Sequence, residues 1–494
     1  MLFNSVSYMV FFPIVLLIYF VIPKKARYVW LLISSYYFYM SWNPKYAILI
    51  AFSTVVTYFC ALLVERTGRL IHKKLLVVLS LVLNLGILFF FKYALFAVDT
   101  LNTILSFTGM SQISHEFDII LPVGISFYTF QALGYTIDVY RGELKAERNI
   151  LKYALFVSFF PQLVAGPIER SKNLMGQIQN IEKINVFNYE KITSGFVLVL
   201  WGLFQKMVIA DRASILVDKV YGEYWIYGSI ELILATVLFA VQIYCDFASY
   251  SIIAIGSARI LGFDLMENFN TPYLAVSVKD FWRRWHISLS TWFRDYLYIP
   301  LGGSRCAKWR HYLNIMITFL VSGLWHGANW TYVIWGGLHG LYQSFESIIE
   351  PLRNRINAKR GIDTNIFSYR LGRIILTFAA VDFAWIFFRA KSVSDALDII
   401  KIIFTKWNFW VLSNQSLYEL GLGMTEIHIL VVALLLMMLV DYIKYSRNIN
   451  IDSFVLTQTA WFRWGVLIFL FMFIIIYGIY GPNFDATAFI YFQF

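Results

Sequence analysis

Charge is what this chain has little of. Only 14% of its 494 residues are Asp, Glu, Lys or Arg, against roughly 25% in a soluble domain, which excludes an ordinary water-soluble globule. Cysteine is scarcer still. Cys60, Cys245 and Cys306 are the only three, so there is no disulfide framework and no metal-ligand spacing. No fixed-period repeat, low-complexity tract or soluble domain interrupts the sequence, and the longest polar stretches are loops expected at 349–370 and 405–428. The first 22 residues lack a basic leading region and a small-residue cleavage site, and Lys24, Lys25 and Arg27 follow the apolar run. The run is therefore expected to remain as a helix and not to be removed as a signal.

What the chain does have is hydrophobicity. It is 59% hydrophobic and 19% aromatic, with a mean hydropathy of +0.64. Apolar runs near 5–22, 28–43, 46–64, 75–98, 193–211, 229–258, 312–325, 328–348, 371–389, 429–446 and 462–481 predict an all-α, polytopic integral membrane protein, with roughly ten to thirteen hydrophobic elements at about 20 residues per span. A single membrane-embedded domain is expected, with N-terminal helices over 1–118, a core over 119–345 and C-terminal helices over 346–494. Between 119 and 166 the apolar stretches are short and broken by Pro122, Gly124, Gly134, Pro161, Gly166 and Pro167. Broken backbone at membrane depth is tolerated only where protein or a cavity surrounds it, which predicts re-entrant helices there. The net charge of +11 needs no nucleic acid; Lys and Arg flanking the spans account for it. Basic clusters at Lys24–Arg27, Arg66–Lys74 and Arg141–Lys152 are expected on the cytoplasmic side. The acidic loop His115–Asp118, with Glu116, and the N-terminus are expected outside.

Three segments of the middle third carry chemistry. Asn314, Thr318, Ser322 and His326 fall four residues apart, about one helical turn each, and form a slowly drifting polar stripe on an otherwise apolar helix. An ionisable group at membrane depth usually faces a cavity, a partner or a substrate path; the alternative is a helix–helix seam glued by small polar residues. The run Lys279–Leu297, at about 100° per residue, gathers Phe281, Trp282, Trp285, Leu289, Trp292, Phe293, Tyr296 and Leu297 on one side, with His286 at the margin. This predicts a basic, Trp-rich interfacial helix, in which His286 is either incidental or chemical. The stretch Gln242–Ser251 is a polar interruption of a long apolar run, and Asp246 within it requires a structural or functional partner.

Read together, these segments resemble the membrane-bound O-acyltransferase superfamily, in its bacterial polysaccharide-acetylating branch. The resemblance begins with Leu121–Gln131 and Asp138–Arg141, passes through the proline-bounded Phe159–Ile168 and Tyr244–Ser251, and continues with Asp280–Tyr298, Ile299–Gly303, Gly323–Trp330 and Trp385–Ala390. Order and spacing over ~270 residues carry it; any one segment is weak. Two positions depart from the family pattern: Ser249 stands where Gly is common, and Ile252 where an acid is common.

The resemblance implies a helical ring around a central tunnel with re-entrant and interfacial helices, sited in the bacterial cytoplasmic membrane. It implies His326 as the catalytic histidine and His286 as the second active-site histidine, their separation of 40 positions letting both converge on one tunnel. Ser322, Thr318, Asn314, Asp246, Ser290 and Asn329 are expected beside the substrate path, although Asn329 could equally cap backbone; His339 is expected to be structural. A neutral histidine titrates near pH 6.5 and can take the proton of an attacking hydroxyl near neutral pH, and burial favours the neutral base. His286 would either position that hydroxyl or stabilise charge on the carbonyl oxygen. The donor would be acetyl-CoA or another acyl thioester, with no resident cofactor or metal. The expected partners are membrane lipid, a separate extracytoplasmic acyltransferase or acyl carrier, and a polysaccharide as final acceptor. D-alanyl transfer to teichoic acid by the same tunnel chemistry is the alternative within the class. A transporter or flippase, with His326 as proton relay, would predict inverted repeats, and none is seen. A scaffold subunit would give no reason for two histidines beside aromatic helices.

Overall fold

Among the described residues seven helical stretches are long and apolar enough to cross a bilayer: Pro44–Arg66, Leu70–Thr108, Tyr189–Gly222, Ser229–Ile260, Phe367–Arg389, Met424–Arg447 and Ala460–Tyr477, with Val6–Val21 a shorter apolar helix. The protein is therefore a multi-pass membrane protein. The computed structural model describes residues 1–114 and 121–480, and among these there is no strand. The acidic loop His115–Asp118 lies outside the described residues. Four expected spans fall short, the first being Val6–Val21, which has only 16 residues. The helix over 28–43 is only 14 residues long, about 21 Å. The helices over 312–325 and 328–348 carry the polar stripe and a charged extension that lower their apolarity.

The chain divides into two compact units, residues 1–196 with 254–266, and residues 197–253 with 267–494. The first holds α1 Val6–Val21, α2 Arg27–Met40, α3 Ala47–Arg66, α4 Leu70–Leu88, α5 Ala94–Thr108, α6 Ile125–Tyr140, α7 Ile150–Ser158, α8 Phe160–Leu163 and α9 Ser171–Gln179. The Pro/Gly-rich stretch does form short helices, and protein surrounds them. Nearly every residue of α6 is buried, as are all four of α8. Gly124 sits at φ 74° where α6 begins, and a Cβ there would come within 2.7 Å of the Leu163 carbonyl, so only glycine permits both the left-handed turn and the close approach. Side-chain amides satisfy the broken backbone: Gln131 Nε2 donates to the Phe156 carbonyl (2.6 Å) and Gln162 Nε2 to Gln131 Oε1 (2.9 Å). Arg148 pairs with Glu65 at 2.6 Å and Tyr58 donates to the Arg148 carbonyl (2.6 Å). The two basic clusters around 66–74 and 141–152 thus lie at one end of this unit.

Helices α10 Tyr189–Phe204 and α12 Ser229–Ile260 begin in one unit and end in the other. The second unit otherwise holds α11 Asp211–Gly222, α13 Val278–Arg284, α14 Ile287–Phe293, α15 Lys308–His326, α16 Trp330–Lys359, α17 Phe367–Arg389, α18 Val393–Thr405, α19 Met424–Arg447, α20 Ile451–Leu456 and α21 Ala460–Tyr477. Burial sorts the spans. In the Ser229–Ile260 stretch 72% of the most apolar window is buried, against 11% in α21. The exposed Ile468, Phe469, Phe471 and Ile476 of α21 form a surface that lipid, not water, would cover. The loop expected at 349–370 is largely helix: α16 continues through Pro351 to Lys359. Glu346 on this helix holds Arg373 of α17 at 2.9 Å, and Asn357 donates to the Tyr369 hydroxyl (2.9 Å), so tertiary partners extend the helix past the proline. The expected 405–428 loop carries two short 3₁₀ turns, Phe409–Leu412 and Ser416–Glu419, with Val411 buried.

α15 and α16 are pressed together over glycine. A Cβ on Gly323 would lie 2.2 Å from the Tyr332 carbonyl oxygen, and one on Gly336 would lie 2.3 Å from that of Phe319. Small residues at a helix crossing let backbones touch. Gly336→Ala is expected to destabilise the protein by about 1–3 kcal/mol, as overpacking does, and to lower activity by shifting the helix that holds His326. Thermal unfolding of the detergent-purified protein checks this; an unchanged transition would show that the crossing relaxes freely.

Candidate active site

Local sequence breaks the expected interfacial helix at its histidine. Ser277 caps α13, its hydroxyl accepting from the Asp280 amide at 2.9 Å. The helix ends at Arg284, Trp285 is extended, and His286 stands at φ 44° in the left-handed region before α14 starts. A non-glycine residue there is uncommon and held by its surroundings. The helical-wheel position expected for His286 therefore does not apply, because one continuous helix does not exist. The imidazole is fully buried.

What holds it is Asn268, a residue the sequence reading passed over. α14 begins without a capping side chain of its own, and Asn268 supplies the cap from outside the helix. Its carbonyl accepts the Ile287 amide (2.9 Å), and its Oδ1 accepts the Ser288 amide (3.2 Å) and hydroxyl (2.9 Å). The same Oδ1 lies 3.2 Å from His286 Nδ1. The ring packs edge-on to Phe247 (centroids 4.6 Å apart) and near Trp325 (5.8 Å). Burial in this apolar setting pushes the pKa of His286 below the usual histidine range, so the ring is neutral.

His326 arrives by a different route. It is the last residue of α15, almost wholly buried, with its ring centroid 5.0 Å from that of Trp335 and 5.5 Å from that of Phe388. Trp335 stacks in turn on Trp385 at 5.6 Å. The two histidine rings lie 6.2 Å apart, centroid to centroid. Two buried imidazoles inside a wall of aromatic rings can accept and return a proton in a site from which bulk water is kept.

The polar stripe leads to His326 along α15. Asn314 and Ser322 are buried and Thr318 half-buried. Asn314 Nδ2 donates to the Gly303 carbonyl (3.1 Å), and Thr318 donates to the Asn314 carbonyl one turn back (2.7 Å). Asn329 caps α16: its Oδ1 accepts the Thr331 amide (3.0 Å) and its Nδ2 donates to the Lys391 carbonyl (3.1 Å). Ser290 donates to the Trp285 carbonyl at 3.3 Å. His339 Nδ1 accepts the Trp282 indole N–H at 3.1 Å. Asp246 is joined to Lys206, 2.5 Å away, which also holds Asp211 at 2.9 Å. All three are buried, and Lys206 lies in a π-turn, Gln205–Ala210. The sequence signals that Asp246, a charge within an apolar run, needs a partner, but not that the partner is Lys206. Among the described residues no group of three or more His, Cys, Asp or Glu side chains could hold a metal ion.

Comparison with known proteins fits this geometry. Residues 142–380 match the membrane-bound O-acyltransferase (MBOAT) family, a span that contains both histidines. The chain is 37% identical over 442 residues to a protein of Pseudomonas aeruginosa named probable alginate O-acetylase, covering 87% of this chain and 80% of the relative. It is 36% identical over 437 residues to the peptidoglycan O-acetyltransferase of Helicobacter pylori (81% and 79%). Likeness to the teichoic acid D-alanyltransferase of Bacillus subtilis is lower, 27% over 285 residues (54% and 69%). With identity of this level sustained along most of its length, the chain belongs to the membrane-bound O-acyltransferase family and is an O-acyltransferase.

Proposed function

We propose that this enzyme takes an acetyl group from a cytoplasmic thioester, acetyl-CoA or an equivalent donor, and delivers it across the cytoplasmic membrane for O-acetylation of an extracytoplasmic polysaccharide. The observation that carries the reading is the meeting of His286 and His326, 6.2 Å apart in a buried aromatic site. The relatives that match most of the chain, named for alginate and for peptidoglycan acetylation, support a polysaccharide as final acceptor. The smaller match to the D-alanyltransferase favours acetyl over D-alanyl transfer.

In the reaction the acceptor hydroxyl oxygen attacks the thioester carbonyl carbon while His326 takes the hydroxyl proton. The tetrahedral intermediate then expels the thiolate, which recovers the proton from the imidazolium, so that ester and thiol leave and the enzyme is unchanged. Excluding water from two buried imidazoles favours transfer over hydrolysis of the donor. The stripe Asn314–Thr318–Ser322 is the path beside which the acyl group travels in a tunnel open to both faces.

Among the described residues there is no soluble domain with an extended groove for a polymer, and this supports a second, extracytoplasmic acyltransferase docked at the outer mouth to complete the reaction. Reconstitution in liposomes with radiolabelled acetyl-CoA on the face bearing residues 66–74 tests both parts. Label is expected on polysaccharide only after a fraction containing the partner is added on the opposite face. Efficient polymer acetylation by the purified chain alone would overturn the need for a partner. Label appearing only when the donor is supplied from the opposite face would overturn the direction of transfer.

A further inference from the structure

Two roles are open to His286 in that reading: accepting a hydrogen bond from the attacking side, or donating one to the carbonyl oxygen. The side chains behind it decide between them. The Ser288 backbone N–H is an obligate donor, so the Asn268 atom 3.2 Å from it must be the amide oxygen, Oδ1. The other end of the amide agrees, its Nδ2 donating to the Ser251 hydroxyl at 3.0 Å. An amide oxygen cannot donate. The 3.2 Å contact between Oδ1 and His286 Nδ1 therefore places a proton on Nδ1. A neutral imidazole carries one N–H, which makes Nε2 an acceptor. The ring packs against Phe247, Phe269, Trp325 and His326. Of these only His326 titrates, and the nearest buried charge in sequence, Asp246, is committed to Lys206.

We infer that Asn268 is a positioning residue which holds His286 as the Nδ1–H tautomer, so that His286 presents Nε2 as an acceptor to a hydroxyl of the acceptor substrate and does not donate to the carbonyl oxygen. The kinetic half of this rests on the proposed function; the tautomer does not. The same amide also caps α14, so a purely structural role must be told apart from a positioning one.

Nitrogen NMR of the full chain in liposomes, isotope-labelled at histidine and assigned with His286→Gln, reads the tautomer directly. The Nδ1–H form is expected in the wild type; an Nε2–H form would overturn the proposal. Asn268→Leu is expected to lower kcat roughly 10²-fold or more, as the wrong tautomer does when a histidine loses its orienting partner, with KM for the donor within about twofold. Should that variant fail to accumulate, the wild-type spectrum and Asn268→Asp still decide. A carboxylate keeps the cap and the Nδ1 proton, so Asn268→Asp should restore turnover. It should also move the acidic limb of the kcat/KM profile to higher pH, because the negative charge favours the imidazolium. Restored turnover with an unmoved limb would mean a helix cap and nothing more. Full activity in His286→Gln would overturn the catalytic reading of His286 while leaving the tautomer measurement standing.

Discussion

His326→Ala is expected to lose acyl transfer by on the order of 10²–10⁴-fold, the usual cost of removing a general base, while the protein still inserts and accumulates. The side chain is at the C-terminal end of α15, so its removal breaks no helical hydrogen bond, and the rings of Trp335 and Phe388 around it still pack on Trp385. His339→Ala is the control. That histidine accepts the Trp282 indole N–H, and its loss leaves a buried donor without an acceptor, which costs about 1–3 kcal/mol; the amount of folded enzyme should fall more than turnover per folded molecule. Donor turnover by purified, monodisperse protein measures both. Wild-type transfer by His326→Ala would make His326 a seam residue and move the base elsewhere.

Lys206→Met is expected to produce the largest loss of stability. Lys206 is 2% exposed and lies between Asp246 and Asp211, themselves 2% and 4% exposed. Removing the cation leaves two carboxylates buried with no counter-charge between them. Breaking a buried ion pair from one side costs about 3–5 kcal/mol, because the surviving charge has lost both water and partner. Replacing the cluster as a whole is different, since neutral groups owe no charge desolvation. The triple variant Lys206→Met, Asp211→Asn, Asp246→Asn should recover much of the stability, and thermal unfolding in detergent compares the two. If Lys206→Met unfolds with the wild type, the cluster is not what locks the π-turn of 205–210 onto α12. If the triple variant is stable but inactive, Asp246 acts in the reaction as well as in the fold.

Sequence by itself determined the class of this protein and pointed to its candidate chemical groups. Scarce charge and long apolar runs depend on composition alone and lead to a membrane-spanning helical protein whatever the packing. The order of segments from Leu121 to Ala390, with His286 and His326 inside it, similarly needs no coordinates to be read. Tertiary structure decided what those groups are able to do. Helical periodicity carries His286 through a continuous amphipathic helix, but a cap supplied from Asn268, 18 residues away, competes with local propensity, breaks the helix and buries the ring. Asp246 reads as a polar group in search of a partner; that the partner is Lys206, 40 residues distant, depends on two helices packing side by side, and no spacing encodes that. The extension of α16 past Pro351 follows the same rule, since contacts to Arg373 and Tyr369 outweigh a local helix breaker. Local patterns report what a segment prefers in isolation, whereas buried polar groups must be satisfied wherever the fold places them. The second requirement is what set the site.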